Sequence, residues 1–172
     1  MPRRDADADG EASGAMQGPG PPRVPVDWDA LEMALTWRSD EWECYLDLRT
    51  GEVHQSPAYG RKAEEYELSP DDVDEALAEA HLILVEPLPS SVEYGWMEEF
   101  VASVRDPRLR ELLDVVLGGR GAFRRFKDAL AGYPRERERW FAYRDARVRE
   151  AMLEWLAENG IEPTAPPPER KP

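Results

Sequence analysis

Gly118-Gly119-Arg120-Gly121-Ala122-Phe123-Arg124-Arg125-Phe126-Lys127-Asp128 (GGRGAFRRFKD) is the stretch on which the fold assignment turns. Three glycines running into a basic segment suggest a phosphate loop, which would place the chain among parallel α/β nucleotide folds. A nucleotide-binding loop of that kind needs GxxxxGK[ST], because the lysine must reach the phosphates and the hydroxyl must hold magnesium. Neither residue is supplied. A dinucleotide fingerprint needs GxGxxG between a strand and a helix. Here Gly119 and Gly121 follow a helical pattern, and no third glycine stands at the required spacing. What remains is a helix-to-helix junction: Gly118-Gly119 ends one helix in a left-handed conformation and Gly121 frees the backbone to enter the next.

Downstream of the junction, Phe123, Phe126 and Leu130 share a helical face that reads as core. Arg120, Arg124 and Lys127 fall at i, i+4 and i+7 in a stripe beside it, with Arg125 elsewhere. Amides at a helix N-terminus favour an anion, and Arg120 beside them adds charge of the same sense. Gly119, Arg120, Gly121, Arg124, Arg125 and Lys127 are therefore the candidate anion or partner-binding residues. Tyr133-Pro134 breaks this helix, and a long one runs on toward Asn159-Gly160 with Phe141, Val148, Met152 and Trp155 as its apolar stripe. Asp145 lies at the edge of that stripe, flanked by Arg144. A carboxylate so placed needs a partner, so Arg144 and Asp145 are assigned to a structural ion-pair network, with Arg120, Arg124 and Arg125 as partners for Asp145.

Upstream, Asp27 is positioned to cap a short helix in which Trp28, Leu31 and Leu35 share a face. Trp42–Leu48 alternates as a strand, with Trp42, Cys44, Leu46 and Leu48 on one side, and Arg49-Thr50-Gly51 turns it into Glu52-Val53-His54. Ser69-Pro70-Asp71-Asp72 launches a helix through Ala80, and Leu82–Glu86 reads as a buried strand. Ser90-Ser91-Val92-Glu93 matches a capping box, with Glu93 reaching back to Ser90. Asp106-Pro107 starts a helix ending near Leu117. The fold class expected is α+β: an N-terminal helix and β-hairpin with a small antiparallel sheet, packed on a helical C-terminal half. Residues 26–162 form a single domain in this reading, with disordered tails at 1–25 and at the proline-rich 163–172.

The net charge of −14 opposes indiscriminate nucleic-acid binding. The mean conceals a segregation: residues 27–117 carry 7 basic and 23 acidic side chains, whereas residues 118–150 carry 10 basic and 5 acidic. Cys44 is the only cysteine, which excludes an internal disulfide and a cysteine-cluster zinc site, and reads as a packed thiol. His54 and His81 lack metal-ligand spacing, so no metal and no cofactor is expected. The longest aliphatic run, Leu82-Ile83-Leu84-Val85, is far short of the roughly 20 residues that span a bilayer, so no membrane partner is expected. Arg3-Arg4 is followed by an acidic stretch in place of the apolar region of an export signal, and the chain reads as cytoplasmic.

From Trp28 through Ile161 the chain resembles the bacterial uncharacterised protein family 0158. The residues that carry the resemblance are Tyr45-Leu46-Asp47-Leu48-Arg49-Thr50-Gly51-Glu52-Val53, Gly119-Arg120-Gly121-Ala122-Phe123-Arg124-Arg125-Phe126-Lys127-Asp128, Trp140-Phe141-Ala142-Tyr143-Arg144-Asp145 and Glu154-Trp155-Leu156. The resemblance implies a compact bacterial domain and carries over no catalytic residues.

Two functions fit these residues. The first is a non-enzymatic interaction or regulatory module whose basic helical stripe receives an anionic partner, an acidic protein surface or a nucleic acid. The second is a small enzyme acting on a phosphorylated substrate, with the Gly119–Gly121 amides, Arg120 and Arg124 as an anion clamp and Asp145 or Glu93 as base. A lone carboxylate among arginines lacks the second acid, nucleophile or metal set of a hydrolase, which favours the first.

Overall fold

The computed structural model describes residues 20–58 and 68–169. The chain enters through a two-residue strand, β1 (Arg23–Val24), and a first helix, α1 (Trp28–Thr36). Asp27 caps α1 as expected, its carboxylate accepting from the Ala30 amide at 3.1 Å. Leu31, Ala34 and Leu35 are the buried face.

The hairpin forms as the alternation predicts. Strands β2 (Trp42–Asp47) and β3 (Val53–Pro57) pair antiparallel, with Trp42 opposite Pro57 and Leu46 opposite Val53. The Asp47 carboxylate accepts from the Arg49 amide at 2.7 Å and closes the turn. Burial works to raise the Asp47 carboxyl, but the Arg49 amide and guanidinium, with His81 nearby, outweigh it and hold the group below its ordinary range.

Helix α2 (Pro70–Ala78) starts at a reciprocal cap, Ser69 taking the Asp72 amide while Asp72 takes the Ser69 amide. The following strand, β4 (Leu82–Val85), pairs antiparallel with the other edge of β2, so the sheet order is β3-β2-β4. Both faces of β2 are covered. Cys44 and Leu46 belong to the main core, whereas Tyr45 packs with Val73, Ala76 and Leu82 around α2.

Four helices complete the body: α3 (Ser90–Ala102), α4 (Pro107–Leu117), α5 (Ala122–Leu130) and the 25-residue α6 (Pro134–Glu158). The Asp106 cap and Pro107 start α4 as the sequence indicates. An aromatic cluster joins α3, α5 and α6. The Phe126 and Trp140 rings stand 4.9 Å apart at 72°, and those of Phe100 and Trp140 5.2 Å apart at 70°, both edge-to-face. Burying Phe126 completely holds the short α5 in place with about 2–3 kcal/mol of apolar transfer energy.

Two expectations are corrected. Helix α3 begins one residue early, with Pro89 at the cap and no side-chain cap bond, so Ser90 is the first helical residue and no capping box forms. Glu93 then lies one position beyond the place from which it would reach back. In α6 the core stripe is Trp140, Val148, Met152 and Leu156, while Phe141 is 42% exposed. The expected stripe holds at Val148 and Met152 and misses by one residue, about 100° around the helix, at each end, where Trp140 and Leu156 replace Phe141 and Trp155. At the two ends, regular structure continues past residues 26 and 162. Strand β5 (Glu162–Pro163) pairs in parallel with β1, Val24 is fully buried, and Arg149 donates to the Pro168 carbonyl at 3.0 Å. This pairing joins two proline-rich segments more than a hundred residues apart in the chain. The remainder of the two expected tails, residues 1–19 and 170–172, lies outside the described residues.

Candidate anion and partner-binding site

The glycine junction is the helix-to-helix link expected, with a different division of labour. Gly118 ends α4 at φ −68°, and the left-handed residue is Gly121, at φ 72°, which caps α5. Gly119 serves another purpose. A Cβ there would stand 2.4 Å from Arg125 Nη2, and that same nitrogen donates to the Val116 carbonyl at 2.9 Å. Arg125 thus reaches back across Gly119 to satisfy an open carbonyl at the C-terminal end of α4, where a cation also complements the helix dipole.

Arg125 is thus exposed but has one guanidinium nitrogen engaged on backbone. The other cations stay at the surface. Arg124 lies 3.8 Å from Asp128, one turn on, with side chains 90% and 70% exposed. A pair so exposed contributes little and exchanges readily. Arg120 and Lys127 are exposed and make no ion pair or hydrogen bond within the described residues.

Arg144 and Asp145 separate. Arg144 occupies the position in the i+4 series 140-144-148-152-156 that the core stripe otherwise fills with apolar residues. Its guanidinium meets Glu93 Oε1 at 2.9 Å, with the two side chains only 26% and 16% exposed. The partner expected of a capping box is in fact the counter-ion of α6. Asp145, one residue further round the helix, makes no ion pair with Arg120, Arg124 or Arg125 and lines a shallow notch with Trp28, Glu32 and Arg149. The signal for Arg144 was present in its own sequence, since stepping by four from Trp140 lands on it.

Beside the α5 cations a cleft of about 180 Å³ opens between α3, α5 and α6. Trp96, Phe123, Phe126 and Trp140 line it, with Lys127 and the Glu93–Arg144 pair supplying charge. Phe123, expected in the core, is 36% exposed and forms part of this lining. Trp140 is buried, and its Nε1 has no acceptor among the described residues. Sequence reading missed the cleft because it depends on where three helices diverge.

Elsewhere, burial pushes the Cys44 thiol above its ordinary value, which makes it a poor nucleophile at neutral pH. His81 Nε2 lies 2.8 Å from the Arg49 guanidinium and Nδ1 lies 3.3 Å from Glu79. Among the described residues no group of three or more His, Cys, Asp and Glu side chains is arranged to hold a metal ion, and no helix is long and apolar enough to cross a membrane.

The model of the uncharacterised protein family UPF0158 matches residues 24–167. The chain belongs to this family. A UPF0158 relative, the UPF0158 protein PA5073 of Pseudomonas aeruginosa (strain PAO1), is 32% identical over 144 residues, covering 82% of this chain and 88% of the relative. No solved structure matches. The UPF0158 match opens at Val24 in β1 and closes at Pro167, beyond β5, so it includes the Val24–Pro163 pair of the two ends. Both the 119–128 and 140–145 segments, on which the resemblance was first read, contribute to the cleft: Phe123, Phe126 and Lys127 from one, Trp140 and Arg144 from the other.

Proposed function

We propose that the chain is a non-enzymatic interaction module that receives an acidic polypeptide segment on the exposed face of α5. Arg120, Arg124 and Lys127 take its carboxylates, and an apolar side chain of the segment seats in the neighbouring cleft. The observation that carries this reading is that among the described residues only Arg124 of these three cations has a counter-ion, and that one is exposed at the surface. The cleft wall adds apolar contact from Phe123 and Trp96, the kind of anchor that dominates binding energy at such interfaces. An acidic polypeptide suits a chain of net charge −14 better than a polyanionic nucleic acid, because a few carboxylates can dock locally on one helix while a long backbone meets the acidic remainder.

The phosphorylated-substrate enzyme draws less support. Glu93 is engaged by Arg144, and Asp145 faces α1 and the C-terminal segment. Neither candidate base stands with the glycine junction.

The test uses the full chain at low salt, titrated by fluorescence anisotropy with a labelled glutamate-rich peptide bearing one phenylalanine, and in parallel with single-stranded RNA. Peptide binding should fall by about tenfold when Arg124 and Lys127 are both changed to alanine, and should weaken again with Phe123→Ala. Preference for the RNA would reassign the partner class. Absence of binding to either probe, or binding indifferent to the double change, refutes the module.

A further inference from the structure

At the other end of α6 lies a feature of opposite sign. Strand β4 leaves β2 after Val85 and turns away through Glu86-Pro87-Leu88-Pro89, opening a groove of about 800 Å³ beneath the C-terminal ends of α1 and α6. Trp37, Trp42 and Trp155, three of the six tryptophans, line it together with Leu88, Glu86 and Glu158. Trp37 is 61% exposed, and its ring leans on Trp42 at 6.4 Å and 59°. An indole left so open without a partner is uncommon on a monomer surface.

The electrostatics are one-sided. Two helix C-termini point their partial negative charge here, and neither α1 nor α6 has a basic residue in its last turn to offset it. Glu86 and Glu158 form no ion pair among the described residues. Glu43, which also lines the groove, accepts from the Tyr45 hydroxyl at 2.8 Å. Among the described residues no lysine or arginine lines it, and Arg38 at its edge is engaged on the Leu88 carbonyl.

We propose that this groove is a second binding site, for an extended arginine-rich polypeptide segment. A guanidinium is planar and weakly hydrated, so it stacks on an indole face while its edge bonds a carboxylate, and Trp37 beside Glu86 and Glu158 offers both. The groove is several times larger than one guanidinium, which fits a run of residues better than a free small cation.

The experiment measures anisotropy of labelled hexa-arginine with the full chain at moderate salt. Trp37→Ala should weaken binding about tenfold, and Glu86→Gln with Glu158→Gln about fivefold. Glu111→Gln with Asp114→Asn, which removes equal charge from the exposed face of α4, should change it less than about twofold. Trp37→Phe should retain most of the binding, and hexa-lysine should bind more weakly than hexa-arginine. Equal losses from the two charge-removing pairs would mean that only net charge attracts the peptide, and would overturn the site. Indifference to Trp37→Ala would do the same, as would sedimentation showing that Trp37 is already covered by a second copy of the chain.

Discussion

Replacing Glu93 by glutamine separates two accounts of the same residue. As the end of a capping box it would hold the start of α3, and Ser90→Ala would then be as harmful as Glu93→Gln, each at about 1 kcal/mol. In the structure Ser90 makes no cap bond, and Glu93 meets Arg144 at 2.9 Å in a setting where both side chains are largely covered. At that distance an effective dielectric of about 20 gives about 6 kcal/mol of attraction, most of it offset by stripping water from both groups. A net coupling of about 1–3 kcal/mol remains. Glu93→Gln should therefore destabilise by about 2 kcal/mol, Arg144→Met by a similar amount, and the double variant by much less than the two together. Ser90→Ala should lose less than about 0.5 kcal/mol. Urea unfolding followed by tryptophan fluorescence and far-ultraviolet dichroism measures all four. A coupling below about 0.5 kcal/mol, or a Ser90→Ala loss matching that of Glu93→Gln, would refute the pair as the reason for Glu93.

Three other outcomes follow from the geometry. Gly51 sits at φ 78°, and a Cβ there would fall 2.1 Å from the Pro25 carbonyl oxygen, which is backbone and cannot swing aside, so Gly51→Ala should cost at least about 3 kcal/mol in denaturant melts and loosen the Asp27 amide bond to the Gly51 carbonyl. Ala80 holds φ 56° after α2, where the His81 amide reaches back to the Ala76 carbonyl; relieving that conformation with Ala80→Gly should gain about 0.5–1 kcal/mol after the added freedom of the unfolded chain is deducted, read as a rise of about 2–4 °C in Tm. Burial, and then the hydrogen bond to Glu43, push the Tyr45 phenol up to about 12; since the folded value lies above the unfolded one, its contribution is complete below about pH 10 and is lost as pH rises toward 12, so Tyr45→Phe should flatten the alkaline loss of stability and remove a late component from the phenolate absorbance titration.

What the sequence made legible was local. Asp27, Ser69 and Asp106 each cap the helix they precede, and the alternation from Trp42 to Leu48 sets the hairpin register, because a cap or a turn is decided by neighbours within a few residues. The failures share a cause. Pro89 displaced the start of α3 by one position, and Trp140 rather than Phe141 set the phase of α6; together these slips hid that Glu93 and Arg144 face each other across 51 residues. Strands β1 and β5 were invisible for the same reason, since two residues at either end carry no periodicity of their own. In the candidate site, the helical stripe grouped Arg124 with Lys127 but left open whether they are exposed or paired with Asp145, and the contact of Arg125 required knowing that Gly119 lets it pass.

The charge segregation seen along the sequence becomes a segregation in space through α6. Arg144, at the cleft, and Glu158, at the groove, are fourteen residues apart, about 21 Å at a rise of 1.5 Å per residue. That is more than twice the screening length of about 8 Å at physiological ionic strength. Each surface thus presents its own sign to a partner without being neutralised by the other. The long helix is what makes this workable: Val148, Met152 and Leu156, buried between the two sites, fix their separation with apolar contacts that are insensitive to salt. A chain with a net charge of −14 thus carries a local basic face and a local acidic groove at once, held apart by one rigid helix.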